Sequence, residues 1–173
     1  MVAVEAGRLA ARAALGDEQA FAELVRASSR TLYAAARAIL RNDQDAQDCV
    51  QEAILAGWSK LFTLRDKCYF TTWLTRITIN TAINMTRRRR PGVPLHIDLP
   101  AKDERDWERL DVRRAIESLD QKTRICTVLF YFEDMPVSEI AKAVGIREGT
   151  VRTRLFRARE KLRSVLEGYD HDE

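Results

Sequence analysis

The chain has 173 residues, of which 46% are hydrophobic and 32% charged, and its formal net charge is +3. These values allow one domain or two small ones with packed cores, and no run approaches the roughly eighteen apolar residues of a membrane-spanning helix. The first residues include Glu5, Arg8 and Arg12 and contain no signal-peptide core, so we expect a cytoplasmic protein without membrane insertion. Seven glycines, four prolines and few β-branched runs favour an all-α chain.

Two amphipathic helices are predicted in the first third of the chain. Apolar residues recur at helical spacing from Phe21 to Leu40, and Asp17 before them is a favourable N-cap. A second apolar stripe runs from about residue 44 to 62, after Asn42 and Asp43, which suit a helix end and the next N-cap. Because the connection is short, we expect these helices to pack antiparallel.

An acidic stripe lies on the outer face of the second helix. Asp45, Asp48 and Glu52 fall at i, i+3 and i+7, with Gln51 alongside. Carboxylates near a helix N-terminus interact favourably with its dipole, which can account for Asp45 and in part for Asp48. Glu52 lies more than two turns into the helix, so the stripe indicates a basic protein partner.

A third helix, predicted from about residue 71 to 88 after a loop over 63–68, ends in a run of arginines. Trp73 is one of its apolar residues, and its polar and basic residues of interest are Asn80, Asn84, Arg87, Arg88, Arg89 and Arg90. Basic residues suit a helix C-terminus, but four in succession exceed that need. Together with the asparagines they predict a nucleic-acid surface.

The amino-acid composition changes between residues 91 and 108. Three of the four prolines fall in this stretch and are followed by a charged run. We interpret this stretch as a flexible linker between a domain of residues 1–90 and a domain of residues 109–173. Fully extended at about 3.3 Å per residue it would reach roughly 55 Å, or about one and a half turns of B-DNA. Two DNA-binding modules on such a tether could contact separated sites on one duplex.

The second domain ends in a helix-turn-helix pattern. Asp120 is the predicted N-cap of a densely apolar helix, after which apolar residues recur from Val137 to Val144. Gly145 then marks a turn that favours positive φ, and a longer arginine-rich helix follows. Residues 137–163 carry eight basic and three acidic side chains, the distribution of a helix that enters a major groove.

Cofactor or enzyme chemistry finds no support in the residue pattern. Cys49, Cys68 and Cys126 are far apart and lack metal-ligand spacing, so we expect no metal and no cofactor. Cys49 and Cys126 lie on apolar helix stripes and are predicted to be core residues, whereas Cys68 lies in a loop and is predicted to be exposed. The sequence shows no nucleophile–base pairing and no phosphate-binding loop, so an enzyme is not expected.

Three segments together resemble the extracytoplasmic-function (ECF) group of bacterial RNA polymerase sigma factors, in the sigma-70 family. DAQDCVQEAILAGW (45–58) resembles region 2.1–2.2, FTTWLTRITINTAINMTRRRR (70–90) resembles regions 2.3–2.4, and IREGTVRTRLFRAREKL (146–162) resembles the region 4.2 recognition helix. The resemblance implies two small helical domains, a region 2 three-helix-type bundle and a region 4 helix-turn-helix, joined by a flexible linker. It also implies a monomer that binds core RNA polymerase and promoter DNA, duplex and melted, under the control of an anti-sigma factor.

The resemblance further implies roles for individual residues. Asp45, Asp48, Gln51 and Glu52 would bind the β′ clamp helices, and region 4 would bind the β flap. The residues implied for the −10 element are Leu64, Arg65, Asp66, Lys67, Trp73, Asn80, Asn84, Arg87, Arg88, Arg89 and Arg90. Those implied for the −35 element are Arg147, Gly149, Thr150, Arg152, Thr153, Arg154, Phe156, Arg157 and Arg159. Of these, Arg152, Thr153 and Phe156 match base readers.

Two other binding functions remain open from the residues. An ordinary helix-turn-helix regulator would bind duplex DNA without polymerase, but it leaves the acidic stripe and the Asn80 surface unexplained. A sigma mimic that only titrates an anti-sigma protein need not keep eight basic residues over 137–163.

Overall fold

The computed structural model describes residues 3–88 and 107–167, and these ranges contain α-helices and 3₁₀ turns but no strand. The α-helices are α1 (Ala3–Ala14), α2 (Glu18–Leu40), α3 (Asp43–Lys60), α4 (Phe70–Arg88), α5 (Trp107–Glu117), α6 (Gln121–Tyr131), α7 (Val137–Val144) and α8 (Glu148–Glu167). Two 3₁₀ turns, Leu61–Thr63 and Lys67–Tyr69, connect α3 to α4. The all-α prediction is confirmed. Most of the predicted linker, residues 91–106, lies outside the described residues.

The caps predicted from the sequence are present and set the helix boundaries. The side chain of Asp17 accepts a hydrogen bond from Ala20 N at 3.0 Å, and that of Asn42 accepts one from Asp45 N at 2.8 Å. Asp120 accepts from the backbone N–H groups of Lys122 and Thr123, at 3.1 and 3.0 Å. Gly145, with φ of 74°, ends α7 in the left-handed region where glycine carries no steric cost.

Helix α1 was not predicted from the sequence. It packs Leu9, Ala10 and Ala13 against α2 and against the 3₁₀ turn that contains Cys68. The approach is close, because a Cβ added to Gly7 would lie 3.0 Å from the Cys68 Sγ atom. Helix α1 therefore supports the loop that leads into α4.

The first half of the chain packs around a core of large side chains. Phe21, Leu24, Phe70 and Leu74 are buried where α2, α3 and α4 meet. At Gly57 a Cβ would lie 2.6 Å from the Leu74 Cδ1 atom, so a larger residue there would require the buried Leu74 side chain to shift. This core fixes the outward-facing sides of α3 and α4.

A second hydrophobic cluster is shared by the two halves of the chain. From the first half it takes residues of α2, α3 and α4, among them Ala36 and Ile39, and from the second half residues of α6, α7 and α8, among them Leu129 and Ile140. Helix α2 packs on α6, and α4 packs on α7. The described residues of the two halves therefore form one packed body.

Arg124 of α6 is a buried cation at this junction, with 6% of its surface exposed. Its Nε donates to the carbonyl oxygen of Ala38 in α2 at 2.7 Å, and its Nη1 donates to those of Leu119 and Glu117 at 2.7 and 3.2 Å. Burial, followed by the nearby charge of Arg41, lowers the pKa of Arg124. The guanidinium joins the end of α2 to the start of α6.

The three thiols lie where the sequence places them. Cys49 and Cys126 are buried and Cys68 is exposed, so these predictions are confirmed. Burial raises the pKa of Cys49 to about 12 and also raises the pKa of Cys126, which keeps both thiols protonated and unreactive at neutral pH. In the described part of the chain, no helix is long and apolar enough to span a membrane, and no three potential metal ligands come together.

Candidate functional site

The acidic stripe of α3 faces outward because the opposite face of the helix is packed. Ala46, Cys49 and Ala53 are buried against the core, which turns Asp48, Gln51 and Glu52 to the surface. Asp45 is half-buried in the first turn, and Asp48 accepts a hydrogen bond from Gln44 Nε2 at 3.1 Å. The structure therefore brings the four predicted residues onto one side of α3.

Two exposed apolar side chains extend this stripe and were missed from the sequence. Leu55 is 71% exposed one turn beyond Glu52, and Phe62 is 82% exposed in the 3₁₀ turn after α3. Leu55 follows Asp48 and Glu52 at i+7 and i+3, so helical spacing could have placed it on the acidic face, whereas Phe62 lies after the end of α3 and has no such signal. A surface that carries carboxylates and then bare apolar groups suits a protein partner with basic and apolar contacts.

The loop between α3 and α4 is held by its own hydrogen bonds. Leu64 is buried and accepts a hydrogen bond through its carbonyl oxygen from Lys67 Nζ at 2.8 Å. The Asp66 carboxylate accepts from Cys68 N at 3.0 Å, while Arg65 and Asp66 are exposed. Of the four loop residues predicted for DNA binding, Leu64 thus anchors the loop and the others lie at or near its surface.

One face of α4 presents polar and basic groups to solvent. Asn80, Asn84, Arg87 and Arg88 are exposed there, whereas Arg89 and Arg90 lie outside the described residues. Trp73 is half-buried, and its ring stands 5.9 Å from that of Phe70 at 48°, so it is part of the core and part of the surface. The amides and arginines predicted from the sequence are therefore brought together along one exposed face.

The basic face of α8 is exposed from Arg152 to Arg159. Val151, Leu155 and Ala158 are buried, which directs the intervening residues outward. The predicted residues that are exposed are Arg147, Gly149, Thr150, Arg152, Thr153, Phe156, Arg157 and Arg159. A Cβ added to Gly149 would meet nothing within 4 Å, so in the described part of the chain no other element stands over this side of Gly149.

Local contacts hold two side chains of this face in position. Arg152 Nη2 lies 3.1 Å from the Glu148 carboxylate one turn earlier, and both side chains remain largely exposed. Thr153 Oγ1 donates to the Gly149 carbonyl oxygen at 2.9 Å. A surface ion pair of this kind is weak, so a stronger anion can displace Glu148 from Arg152.

Arg154 differs from the other arginines of α8. It is half-buried, and its Nη1 atom is buried without a hydrogen-bond partner in the described chain. This orientation fits a residue that supports α8 from inside the bundle.

Comparison with known proteins supports the resemblance seen in the sequence. The Sigma-70 region 2 family matches residues 24–91, and the Sigma-70, region 4 family matches residues 109–162. The ECF RNA polymerase sigma factor SigM of Mycobacterium tuberculosis is 32% identical over 169 residues, covering 95% of this chain and 85% of that protein. The RNA polymerase sigma factor SigV of Bacillus subtilis is 30% identical, covering 78% of this chain and 83% of its own.

Two solved structures are similar over most of the chain. CnrH, in complex with the cytosolic domain of CnrY, has a TM-score of 0.74 at 30% identity and covers 95% of this chain and 98% of its own. The sigma factor RpoE of Bartonella quintana, in complex with the anti-sigma factor NepR, has a TM-score of 0.68 at 20% identity and covers 88% of this chain and 98% of its own. The second similarity shows a shared fold.

Proposed function

This chain belongs to the extracytoplasmic-function group of the sigma-70 family of RNA polymerase sigma factors, and from that premise we propose which of its surfaces carry out promoter-specific initiation. As a sigma factor it binds core RNA polymerase and directs it to promoters. We assign binding of the polymerase and of the −10 element to residues 1–90 and binding of the −35 element to residues 109–173. Residues 91–108 are the linker between these two domains. It would act in the cytoplasm, with no chemistry of its own and no cofactor.

Polymerase binding is assigned to the outer side of α3. Asp45, Asp48, Gln51 and Glu52 would contact the β′ clamp helices, with Leu55 and Phe62 covering apolar groups beside them. Charge complementarity would steer the encounter, and burial of the apolar side chains would slow dissociation. The exposure of Leu55 and Phe62 beside the carboxylates supports this assignment, because such bare apolar groups mark interaction surfaces.

Recognition of the melted −10 strand is assigned to α4 and the loop before it. The amides of Asn80 and Asn84 can bond to base edges, while Arg87 and Arg88, followed by Arg89 and Arg90 in sequence, would hold the backbone. The loop residues Leu64, Arg65, Asp66 and Lys67 would form the wall of a pocket for an extruded base, beside Trp73. Extrusion costs a few kcal/mol, which contacts in the pocket and with the single strand offset.

Recognition of the −35 duplex is assigned to the exposed face of α8. Arg152, Thr153 and Phe156 would reach base edges in the major groove. The phosphate contacts would come from Arg147, Thr150, Arg157, Arg159 and the N–H of Gly149. Arg154 would hold α8 in place from the buried side.

Two further partners follow from the family. The second half of the chain would also contact the β flap of the polymerase. CnrH and the Bartonella RpoE were each solved with a regulatory partner, CnrY and the anti-sigma factor NepR, so we propose that an anti-sigma factor controls this chain as well.

The observation that carries the proposed function is the separation of an acidic protein-binding face on α3 from basic faces on α4 and α8. The test is run-off transcription with bacterial core polymerase on fragmented genomic DNA from the source organism, with and without the protein. Discrete new transcripts that share two upstream sequence blocks are expected. Binding to duplex DNA without new transcripts would indicate an ordinary helix-turn-helix regulator, and neither activity would indicate a sigma mimic.

An Arg152→Ala variant is expected to relax base preference at one −35 position. Loss of one good base contact costs about 1–3 kcal/mol at the preferred base and little at the others. Arg159→Ala is the matched control, because loss of a phosphate contact weakens all promoters alike. Competition binding among −35 variants measures both effects. If Arg152→Ala keeps the wild-type ranking, the assignment of Arg152 to base recognition is wrong.

A further inference from the structure

A groove lies between α2 and α5, and α6 forms its floor. Helix α6 packs on both of these helices, whereas α2 and α5 do not pack on each other within the ranges that the structure describes. The space between them is a cavity of about 740 Å³ that is open to solvent. None of the described residues that line it belongs to the faces of α3, α4 and α8 assigned above to polymerase and promoter DNA.

The walls of this groove are mostly apolar. The apolar side chains that face it from the three helices are Tyr33, Ala34, Val112, Ile116, Val128 and Phe132. Phe132 is 43% exposed and the others are half-buried, so a ligand in the groove would remove further apolar surface from water. A volume of roughly 300–1,000 Å³ and an apolar lining with a few polar groups are typical of sites for small molecules.

Positive charge is in excess around the groove. The described residues that line it include five arginines and two glutamates. Arg37 also pairs with Asp43 beside the lining, at 2.6 Å, and two positive charges remain in excess after this carboxylate is counted. The same crowding acts on Arg124, because burial and then the nearby charge of Arg41 lower its pKa. A negatively charged ligand would therefore be attracted to the groove.

Two of the arginines converge on one carboxylate of α5. The Glu117 carboxylate lies 3.6 Å from Arg113 Nε and 4.0 Å from Arg37 Nη2, and both distances are longer than a direct hydrogen bond. The Arg37 side chain is 19% exposed, so solvent and salt screen its charge less than that of a surface arginine. The planar fork of a guanidinium matches the oxygens of a carboxylate or a phosphate. This part of the groove therefore suits an oxyanion, beside the apolar side chain of Ile116.

The size of the cavity favours a small ligand over a helix of a protein partner. The groove follows α2 from Arg30 to Arg41, which is roughly 16 Å at about 1.5 Å per residue. A helix of that length with a diameter of about 10 Å takes up roughly 1,300 Å³, well above the volume of the cavity. A single alkyl chain is much narrower than a helix and can lie along the apolar walls.

We propose that this groove is a binding site for a small amphipathic anion, whose carboxylate or phosphate monoester head is held by Arg37 and Arg113. The apolar chain of the ligand lies between α2 and α6, along Tyr33, Val128 and Phe132. The head group gains charge-assisted hydrogen bonds, and the chain gains burial against walls that are only half-buried without it. The site goes beyond promoter recognition and does not depend on it, because none of these residues is assigned to polymerase or DNA.

The test is isothermal titration calorimetry of the full chain with alkyl probes. Decanoate should bind one to one with a dissociation constant below about 1 mM. Octanoate should bind more weakly, by about threefold to fourfold for each methylene removed. Octyl phosphate has the same chain as octanoate, so the ratio of their affinities shows which oxyanion the site prefers. Octylammonium, which carries the opposite charge, should bind at least about tenfold more weakly than octanoate.

Two variants test the head and the chain of the ligand separately. Arg113→Gln should weaken decanoate binding by about tenfold, whereas Arg76→Gln on α4, outside the groove, should leave it unchanged. Both arginines are exposed, so neither substitution disturbs a packed group. Ala34→Phe should fill the groove and abolish decanoate binding, whereas Ala22→Phe, at an exposed position of α2 outside the groove, should not. Circular dichroism checks that each variant keeps its helices.

Several results would overturn the proposal. They are a dissociation constant for decanoate above about 1 mM, equal affinity for octanoate and octylammonium, or unchanged decanoate binding in both Arg113→Gln and Ala34→Phe. Light scattering that finds a dimer of the free chain, dissociated by Ala34→Phe, would assign the groove to a second copy and would overturn it too. Calorimetry requires no polymerase or promoter, so failure of the run-off test would leave this result standing.

Discussion

A Glu52→Lys variant is expected to lose binding to core RNA polymerase while its fold remains intact. Glu52 is exposed in the middle of α3, so the substitution disturbs no packed group and should change the free energy of unfolding by less than about 0.5 kcal/mol. At the interface it replaces an attraction with a like-charge contact, which costs several kcal/mol. Since about 1.4 kcal/mol is a factor of ten, affinity should fall by at least about a hundredfold.

Glu23→Lys is the matched control for this experiment. Glu23 is exposed on α2, away from the stripe, and its substitution changes the net charge by the same amount. Fluorescence anisotropy with labelled variants and core polymerase measures the two affinities under one salt condition. Wild-type affinity in Glu52→Lys, or an equal loss in Glu23→Lys, would remove α3 from the polymerase interface.

An Arg124→Met variant is expected to lower the free energy of unfolding by roughly 2–4 kcal/mol. The substitution keeps much of the side-chain volume but leaves the carbonyl oxygens of Ala38 and Leu119 without this donor, and each buried unsatisfied group costs about 1–3 kcal/mol. The Glu117 carbonyl oxygen keeps its hydrogen bond from Arg41 Nη2 at 2.9 Å, and removal of the buried charge offsets part of the cost. Denaturation in urea, followed by helical circular dichroism, measures the loss.

Arg113→Met is the control for that measurement, because the Arg113 side chain is 45% exposed where it pairs with Glu117 at 3.6 Å. Its free energy of unfolding should change by less than about 1 kcal/mol. If Arg124→Met is as stable as wild type, the cost of burying the guanidinium equals the gain from its three hydrogen bonds, as occurs for some buried charges.

The features predicted correctly from the sequence are those determined by local chemistry. Asp17, Asn42 and Asp120 are N-caps and Gly145 has positive φ, because each requirement is satisfied within a few residues of chain. The inward faces of α3 and α8 were predicted for a related reason, since helical periodicity reports which side of a helix is buried. The outward faces, and with them most of the candidate surfaces, follow by exclusion.

The features that the sequence did not reveal depend on distant partners. Helix α1 buries Leu9, Ala10 and Ala13, which recur at helical spacing, so its amphipathic pattern was present in the sequence and was overlooked. The pattern does not identify α2 and the turn with Cys68 as its partners. The apolar residues of α6 predicted that this helix is buried. They do not show that α2 is the helix that packs against it. Leu55 could have been assigned to the outer face of α3 by its spacing from Glu52, whereas nothing in the sequence separates exposed Phe62, in the 3₁₀ turn, from a buried residue.

The shared cluster also limits how freely the two halves can recombine in evolution or in the laboratory. A chimera that takes residues 109–173 from a relative would receive an intact helix-turn-helix, yet side chains such as Leu129 and Ile140 would then meet a foreign partner surface. The −35 preference would transfer with the exchanged half. The close packing between the two halves would not. Substitutions on the facing sides of α2 and α6 are therefore expected to occur in compensating pairs. The two halves of this protein then evolve together and not as independent modules.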